Sequence, residues 1–291
     1  MKRMNKYISI LFMSVSLALS AYGQADRNVV YKVATGDFAY TAGKMKNSVG
    51  NVLGAIAEAM VTGKTSQQQS QYADAVRASV VSGLSNVRRF RTIEADYILH
   101  CPASDEQAFY VDGTIANIST VTKTEPSTTK GAPANQYHRC LISVTVNLKD
   151  AHDDTVENSH TFSITDSDMS WLGSTDKAVS DALERLTAKV ADYYNAIFPL
   201  HASIIEAGEV KKDKQKEVFI DLGAANGAYK GVQFDVFLVK TVAGKEARTM
   251  IGRLKIEEVQ GDEISLCKVT KGSDKIKNAL DQGQTLMITS R

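Results

Sequence analysis

The sequence predicts an α/β (α+β) domain with a mixed sheet and flanking helices, followed by a small all-β barrel-like domain. Three observations lead to this fold class. An amphipathic helix and then a strand occupy residues 72–96, a long helix occupies residues 175–197, and short alternating strands dominate residues 201–291. Proline cannot continue a helix, so Pro199 ends the long helix and marks the domain boundary. We therefore expect domains at residues 25–200 and 201–291.

A secretory signal peptide is predicted for residues 1–24. Three basic residues precede an apolar run at residues 8–19, and small residues follow it, which is the order typical of such a signal. The run is shorter than the roughly 20 residues of a membrane-spanning helix. The first cysteine is Cys101, so no lipid-carrying cysteine is expected at the cleavage site. We expect a periplasmic protein that is not a lipoprotein, with no transmembrane span in the mature chain. Peripheral association with the outer membrane stays open.

Charge and cysteine content narrow the function classes. Removal of the three basic signal residues from the 34 in the chain leaves 31 against 33 acidic residues, a net charge near −2. This balance gives no general attraction to nucleic acid. Three cysteines in an oxidising compartment leave at least one unpaired. Cys101 and Cys140 are one possible pair, which the sequence leaves open, and Cys267 is expected to be a small buried side chain.

A strand is predicted at residues 28–38, and a helix at residues 44–61 follows it. The apolar stripe of that helix is the main candidate for an interface, with packing against its own domain as the alternative. Its members are Val49, Val52, Leu53, Ile56 and Met60. Trp171, the only tryptophan, has the same two interpretations: packing on the domain, or an anchor for a partner.

The other predicted elements of the first domain follow from periodicity and turn residues. Residues 65–70 are polar and are predicted to be a loop, and Gly83 and Asn86 are predicted to end the helix after it. Strands are predicted at residues 89–94, 109–118, 140–148 and 155–164. Residues 120–136, which contain two prolines, are predicted to be a mobile loop. About six strands are predicted in the second domain, which suggests a small barrel or sandwich.

No set of residues with the pattern of a catalytic or metal site stands out. Gly63-Lys64-Thr65 resembles the end of a phosphate-binding loop, but Glu58 stands where its first glycine is needed. No Gly-x-Ser-x-Gly sequence occurs. A Cys/His site requires that His100-Cys101 and the pair His138 and Cys140 converge, and no paired-ligand motif supports this. We therefore expect a protein that is not an enzyme, with no cofactor and no metal.

The order of elements resembles the CsgG-like family of curli assembly and transport components. The resemblance lies in the strand 33–38 that ends in Asp-Phe, the helix 72–85 with the Arg-Phe-Arg-Thr-Ile-Glu strand 89–94, the glycine-containing strand 111–115, the hairpin 144–163 and the helix 175–197. Residues 218–237, 251–256 and 283–286 are similar to the carboxy-terminal β domain of FlgT-like flagellar ring proteins. This resemblance implies a periplasmic ring or scaffold component.

Two departures from the curli channel affect the implied function. The chain has no lipid-carrying cysteine, and the segments 119–137 and 162–174 carry charged residues and prolines where that channel inserts apolar hairpins into a membrane. The expected function is therefore that of a non-enzymatic periplasmic or cell-envelope accessory or scaffold protein that binds envelope proteins and forms homo-oligomers. Two alternatives remain: an outer-membrane secretion component of the curli type, and a hydrolase or ligand-binding enzyme that uses the Cys/His neighbourhood.

Overall fold

The structure is a computed structural model that describes residues 28–40, 65–94 and 108–291. For residues 65–71 it describes the backbone alone. The predicted signal peptide, the predicted helix 44–61 and Cys101 lie outside the described residues. The chain divides into two compact units. The first is Tyr31–Tyr194, and the second is Asn195–Arg291 together with residues 28–30.

The described part of the first unit is an α+β fold in which five strands form one mixed sheet. The strands are β1 (Tyr31–Tyr40), β2 (Phe90–Ile93), β3 (Ala108–Glu125), β4 (Asn135–Asp150) and β5 (Val156–Ile164). Their order in the sheet is β2-β1-β3-β4-β5. β1 runs parallel to both of its neighbours, whereas β3, β4 and β5 are antiparallel. The alternation in β4, where Ile142, Val144, Val146 and Leu148 are buried, separates a core face from a polar face.

Among the described residues, two helices supply the other half of this core: α1 (Thr65–Ser85) and α2 (Thr175–Ile197). Ser174 accepts a hydrogen bond from the amide of Lys177 at 3.3 Å, as expected for an N-cap, and Asp176 lies in the first turn of α2. The residues of α2 that are buried are Ala178, Val179, Ala182, Leu186, Val190, Ala191 and Tyr194. Three of these residues are alanines, whose small side chains allow α2 to lie close to the elements it packs against.

The predicted start of α1 was wrong, whereas its end at Ser85, just before Asn86, agrees with the prediction. The polar segment 65–70 is helical, and Gly83 lies inside the helix instead of breaking it. A Cβ atom at Gly83 would lie 2.7 Å from Val190 Cβ and 2.8 Å from the backbone oxygen of Thr187. Glycine occupies this position because α1 and α2 come too close there for any side chain.

The prediction of a mobile loop at residues 120–136 was also wrong. β3 extends to Glu125 and β4 begins at Asn135, so only residues 126–134 connect the two strands. The prediction failed because no residue of β3 beyond position 118 is fully buried in the described part of the chain, and the hydrophobic alternation that marks a half-buried strand is therefore missing.

The second unit is built on a closed six-stranded barrel. Its strands are β6 (His201–Ala207), β9 (Glu217–Ile220), β10 (Gln233–Val242), β11 (Lys245–Val259), β12 (Ser265–Lys271) and β13 (Leu286–Ser290), in the order β10-β11-β12-β9-β6-β13. The hairpin of β7 (Val210–Lys211) and β8 (Lys214–Gln215) and the helix α3 (Ser273–Asp281) complete the unit. Phe234, Ile220 and Leu222 are fully buried in its core, and Ile276 joins α3 to it. Helix α3 was not predicted from the sequence, and because of it the prediction of an all-β unit was wrong.

Candidate functional site

The long hairpin of β3 and β4 forms a two-stranded arm, which we define as residues 119–125 paired with residues 135–141. Pairing between β3 and β1 ends at Ile115, and pairing between β4 and β5 begins at Ile142. Among the described residues, the arm strands therefore pair only with each other, apart from a single bridge to Leu172. Threonine and valine dominate this part of β3 and favour extended backbone.

Trp171 packs against the arm and is the only candidate interface residue that lies within the described part of the chain. The guanidinium of Arg139 lies 4.2 Å from the centroid of the indole ring, and the Lys123 ammonium lies 5.6 Å from it. The backbone of the next residue, Leu172, exchanges two hydrogen bonds with His138, at 2.7 and 3.0 Å. Asp166 lies 3.6 Å from Arg139. The segment that follows β5 thus supports the arm through stacking, charge and backbone pairing.

This cluster also presents chemistry suited to a partner. Trp171 is only partly buried, and Lys123 is exposed beside it. An amphipathic ring between two cations is a composition found in interface hot spots. Trp171 was a candidate from the sequence, but Arg139 and Lys123 were not. These two residues lie on strands 32 and 48 positions away from Trp171, and nothing in the local sequence connects them with it.

Of the possible Cys/His site, only His138 and Cys140 lie within the described residues. The contacts of these two side chains suit a structural role. His138 Nδ1 lies 3.1 Å from the Thr122 hydroxyl and 3.4 Å from that of Thr175. Burial raises the pKa of the Cys140 thiol to about 11, so the sulfur stays protonated and is a poor nucleophile and metal ligand near neutral pH. Within residues 28–40, 65–94 and 108–291, no three His, Cys, Asp or Glu side chains cluster in a way that could hold a metal ion.

The polar face of the sheet carries a hydrogen-bonded network across β3, β4 and β5. Asp112 accepts hydrogen bonds from Asn147 at 2.8 Å and from Lys149, and Asn147 accepts one from Ser159 at 2.7 Å. Burial raises the pKa of Asp112, but the bonds from Lys149 and Asn147 outweigh this effect, so that its pKa is lowered overall. The pKa of Lys149 is raised by its bond to Asp112. Both groups stay charged and paired over the physiological range, which suits a fixed surface better than proton transfer.

The barrel unit carries a second two-stranded arm, which we define as residues 239–242 paired with residues 245–248. β13 pairs with β10 only as far as Leu238, and β12 pairs with β11 only from Arg253 onward. Ala243 and Gly244 form the two-residue turn with positive φ angles of 50° and 77°, as a tight hairpin requires. Both units thus have the same feature, a ribbon that extends past the pairing of its sheet.

Comparison with known proteins gives only distant likenesses. No family model and no curated protein matches the chain. Among solved structures, a PelC dodecamer from Paraburkholderia phytofirmans is 15% identical over 55% of this chain and 84% of its own, with a TM-score of 0.29. A putative neuraminyllactose-binding hemagglutinin homolog from Helicobacter pylori is 9% identical over 59% and 84%, with a TM-score of 0.30. Protein XCC0632 from Xanthomonas campestris is 11% identical over 59% and 85%, also with a TM-score of 0.30. At these TM-scores the likenesses assign no function.

A helix that spans a membrane has to be both long and apolar. Over residues 28–40, 65–94 and 108–291, no helix combines the length and the apolar character needed to cross a bilayer.

Proposed function

We propose that this protein is a non-enzymatic accessory or scaffold protein of the cell envelope, which binds envelope proteins and associates with copies of itself. The single observation that carries the proposal is the β3–β4 arm. Seven residues of each strand continue beyond the pairing with β1 and β5 that the described residues form, and they remain paired in register from Ser119–Leu141 to Glu125–Asn135. Export to the periplasm is the part of the proposal that rests on the predicted signal peptide.

The physical argument concerns the stability of such a ribbon. A two-stranded hairpin is marginal by itself in water, because it buries little apolar surface. Its outer edges also carry backbone groups that can pair with another strand. Here Arg139 and Trp171 hold the ribbon in place, so the arm is kept in a form that is ready for contact. Pre-organisation of this kind lowers the entropy lost on binding and is typical of an association element.

The chemistry of the described side chains points the same way. The buried thiol of Cys140 is protonated, and Asp112 is neutralised by Lys149. Neither group is placed to act as a nucleophile or a general base. Binding and assembly therefore require fewer assumptions than catalysis.

The test measures association of the exported protein and then removes the arm. The arm is shortened by replacing residues 123–137 with Asn-Gly, which joins the paired residues Thr122 and His138 through a two-residue turn. This change keeps Arg139 and Trp171. We expect discrete oligomers of the parent protein by native mass spectrometry, and at least tenfold weaker self-association of the shortened variant. The far-ultraviolet circular dichroism should keep its shape.

The matched control shortens the second arm instead, by joining Val239 and Arg248 through Asn-Gly. If self-association runs through the β3–β4 arm, this control keeps the parent's oligomeric state. A parent protein that is strictly monomeric and crosslinks to no envelope protein would contradict the proposal. Retention of the protein in membranes after a carbonate wash would favour the alternative of an outer-membrane secretion component.

A further inference from the structure

The second unit contains a depression whose charges are not explained by the fold. Its volume is about 570 Å³, and five lysines from the β7–β8 hairpin, the start of β9 and β12 line it. These are Lys211, Lys212, Lys214, Lys216 and Lys268. Charges of one sign this close together repel one another unless counter-charges pair with them. Their convergence in one concave site gives it an excess of positive charge that attracts anions.

Three glutamates share the depression but leave its lysines unpaired. Glu209, Glu217 and Glu257 line it as well, so the site keeps a formal charge of +2. Among the described residues, no carboxylate lies within ion-pairing distance of any of the five lysines. The lysine ammonium groups thus remain available to an anion from solution.

The hairpin that supplies most of these lysines is held firmly. Gln215 is only 1% exposed, and its side-chain amide donates hydrogen bonds to the carbonyl oxygens of Gly208 and Glu217, at 3.2 and 2.6 Å. The amide of Val269 donates to the carbonyl of Lys216 at 2.7 Å, which ties the hairpin to β12. A buried glutamine with both donors satisfied fixes the lysine backbone against the barrel and reduces the entropy lost on binding.

The hairpin tip carries one acidic residue, Asp213, beside α3. Lys212 and Asp213 adopt positive φ angles of 51° and 57°, a conformation that residues other than glycine, asparagine and aspartate rarely take. Asp213 lies 3.4 Å from Lys277 of α3, which also pairs with Asp281 at 2.6 Å. Asp213 is not among the residues that line the depression, so it is not counted in the charge of the site.

From this geometry we infer that the depression is a binding site for a small, multiply charged phosphate anion. All five cations are lysines, which bind phosphate as compact point charges. The site lies in the barrel unit, so the inference does not depend on the proposed role of the β3–β4 arm.

The experiment titrates the full chain with inorganic tripolyphosphate by isothermal calorimetry and uses citrate as a carboxylate of similar charge. We expect saturable binding of one tripolyphosphate and at least tenfold weaker binding of citrate. The triple variant K211Q/K214Q/K216Q should weaken tripolyphosphate binding at least tenfold. The control K130Q/K240Q/K245Q removes the same charge elsewhere and should change the dissociation constant less than twofold.

A second pair of variants tests the sign of the electrostatic argument. Glu257 lies in the depression, so E257Q should tighten tripolyphosphate binding severalfold, whereas E246Q on the second arm should leave it unchanged. Several outcomes would overturn the inference: no saturable binding, equal affinity for citrate, or equal weakening by the two triple variants, which would indicate general attraction instead of a site.

Discussion

At the residue scale, the contact between the two helices of the first unit depends on Gly83. Replacement by alanine would raise the helix propensity of α1 by about 1 kcal/mol. The new methyl group, however, would meet Val190 Cβ at 2.7 Å and the Thr187 carbonyl oxygen at 2.8 Å. A backbone oxygen cannot rotate away, so the helices must separate, which typically costs about 1–3 kcal/mol.

We therefore expect Gly83→Ala to lower the free energy of unfolding by about 1–2 kcal/mol in urea titrations. Ser82→Ala is the matched control, because Ser82 is the exposed neighbour in the same helix and should change stability by less than about 0.5 kcal/mol. A Gly83→Ala protein as stable as the parent would show that α1 and α2 are farther apart than described.

Asp168 supplies a pH dependence at the same scale. Its carboxylate accepts hydrogen bonds from Lys189 Nζ at 2.9 Å and from the amide and hydroxyl of Thr165, both at 2.8 Å. The bond from Lys189, with those from Thr165, lowers the pKa of Asp168 to about 2. Because the folded pKa is below the unfolded value, the stability due to Asp168 is fully present above about pH 4 and is lost as the pH falls towards 2.

The expected result for Asp168→Asn is therefore lower stability than the parent at pH 7, with the difference shrinking between pH 4 and pH 2. Thermal unfolding at a series of pH values measures it. The exposed Asp192, mutated to Asn, serves as the control and should show no such trend. A difference between Asp168→Asn and the parent that stays constant from pH 7 to pH 2 would contradict the assignment.

At the element scale, the β3–β4 arm shows the limit of inference from sequence. Periodicity predicted the strand segments 109–118 and 140–148, because those segments alternate between core and surface. Beyond Ile118 none of the β3 residues is fully buried, so the pattern fades although the strands continue. The three threonines and the valine of residues 119–124 were the one available signal, since β-branched residues favour strands even without a core. The prolines at 126 and 133 do lie in the connecting loop, as proline chemistry requires.

Trp171 is expected to control the order of this element. Trp171→Ala removes the stacking on Arg139 and Lys123, which is worth about 0.5–1 kcal/mol for the exposed Lys123 and up to about 2 kcal/mol for the partly buried Arg139. Because the arm contributes little to the core, the loss should appear as local opening and not as global unfolding. Hydrogen exchange measured by mass spectrometry should show faster exchange in peptides that cover residues 119–125 and 135–141.

Two comparisons make this result specific. Trp171→Phe keeps an aromatic ring and should have a smaller effect, while peptides from the second arm, residues 239–248, should exchange at the parent rate. Unchanged exchange of the β3–β4 arm in Trp171→Ala would mean that its own strand pairing suffices to order it.

At the scale of the whole molecule, the α+β character of the first unit and the strand-rich second unit were both accessible from sequence. Long helices and alternating strands carry that information locally. Closure of the barrel was not accessible, because it depends on which edge strands meet: β10 with β13, and β13 with β6. Helix α3 was missed for a related reason. It has nine residues, and the apolar contact that stabilises it, between Ile276 and the barrel, is formed only in the folded unit.

A closed barrel with its own core should fold by itself. The fragment 195–291 contains all six barrel strands and α3, and its buried residues, among them Phe234, Val236 and Ile288, contact one another. Closure of the barrel also pairs the backbone N–H and C=O groups of its edge strands, which would otherwise promote aggregation. We expect this fragment to give one cooperative thermal transition and a dispersed amide spectrum by nuclear magnetic resonance.

Phe234→Ala, which opens a cavity at a fully buried position, should lower the free energy of unfolding by about 3–5 kcal/mol and serves as the control that the core is native. A fragment without a cooperative transition would show that the barrel depends on the rest of the chain. A fragment whose stability does not change in Phe234→Ala would show the same, because a core that tolerates such a cavity is not packed as described.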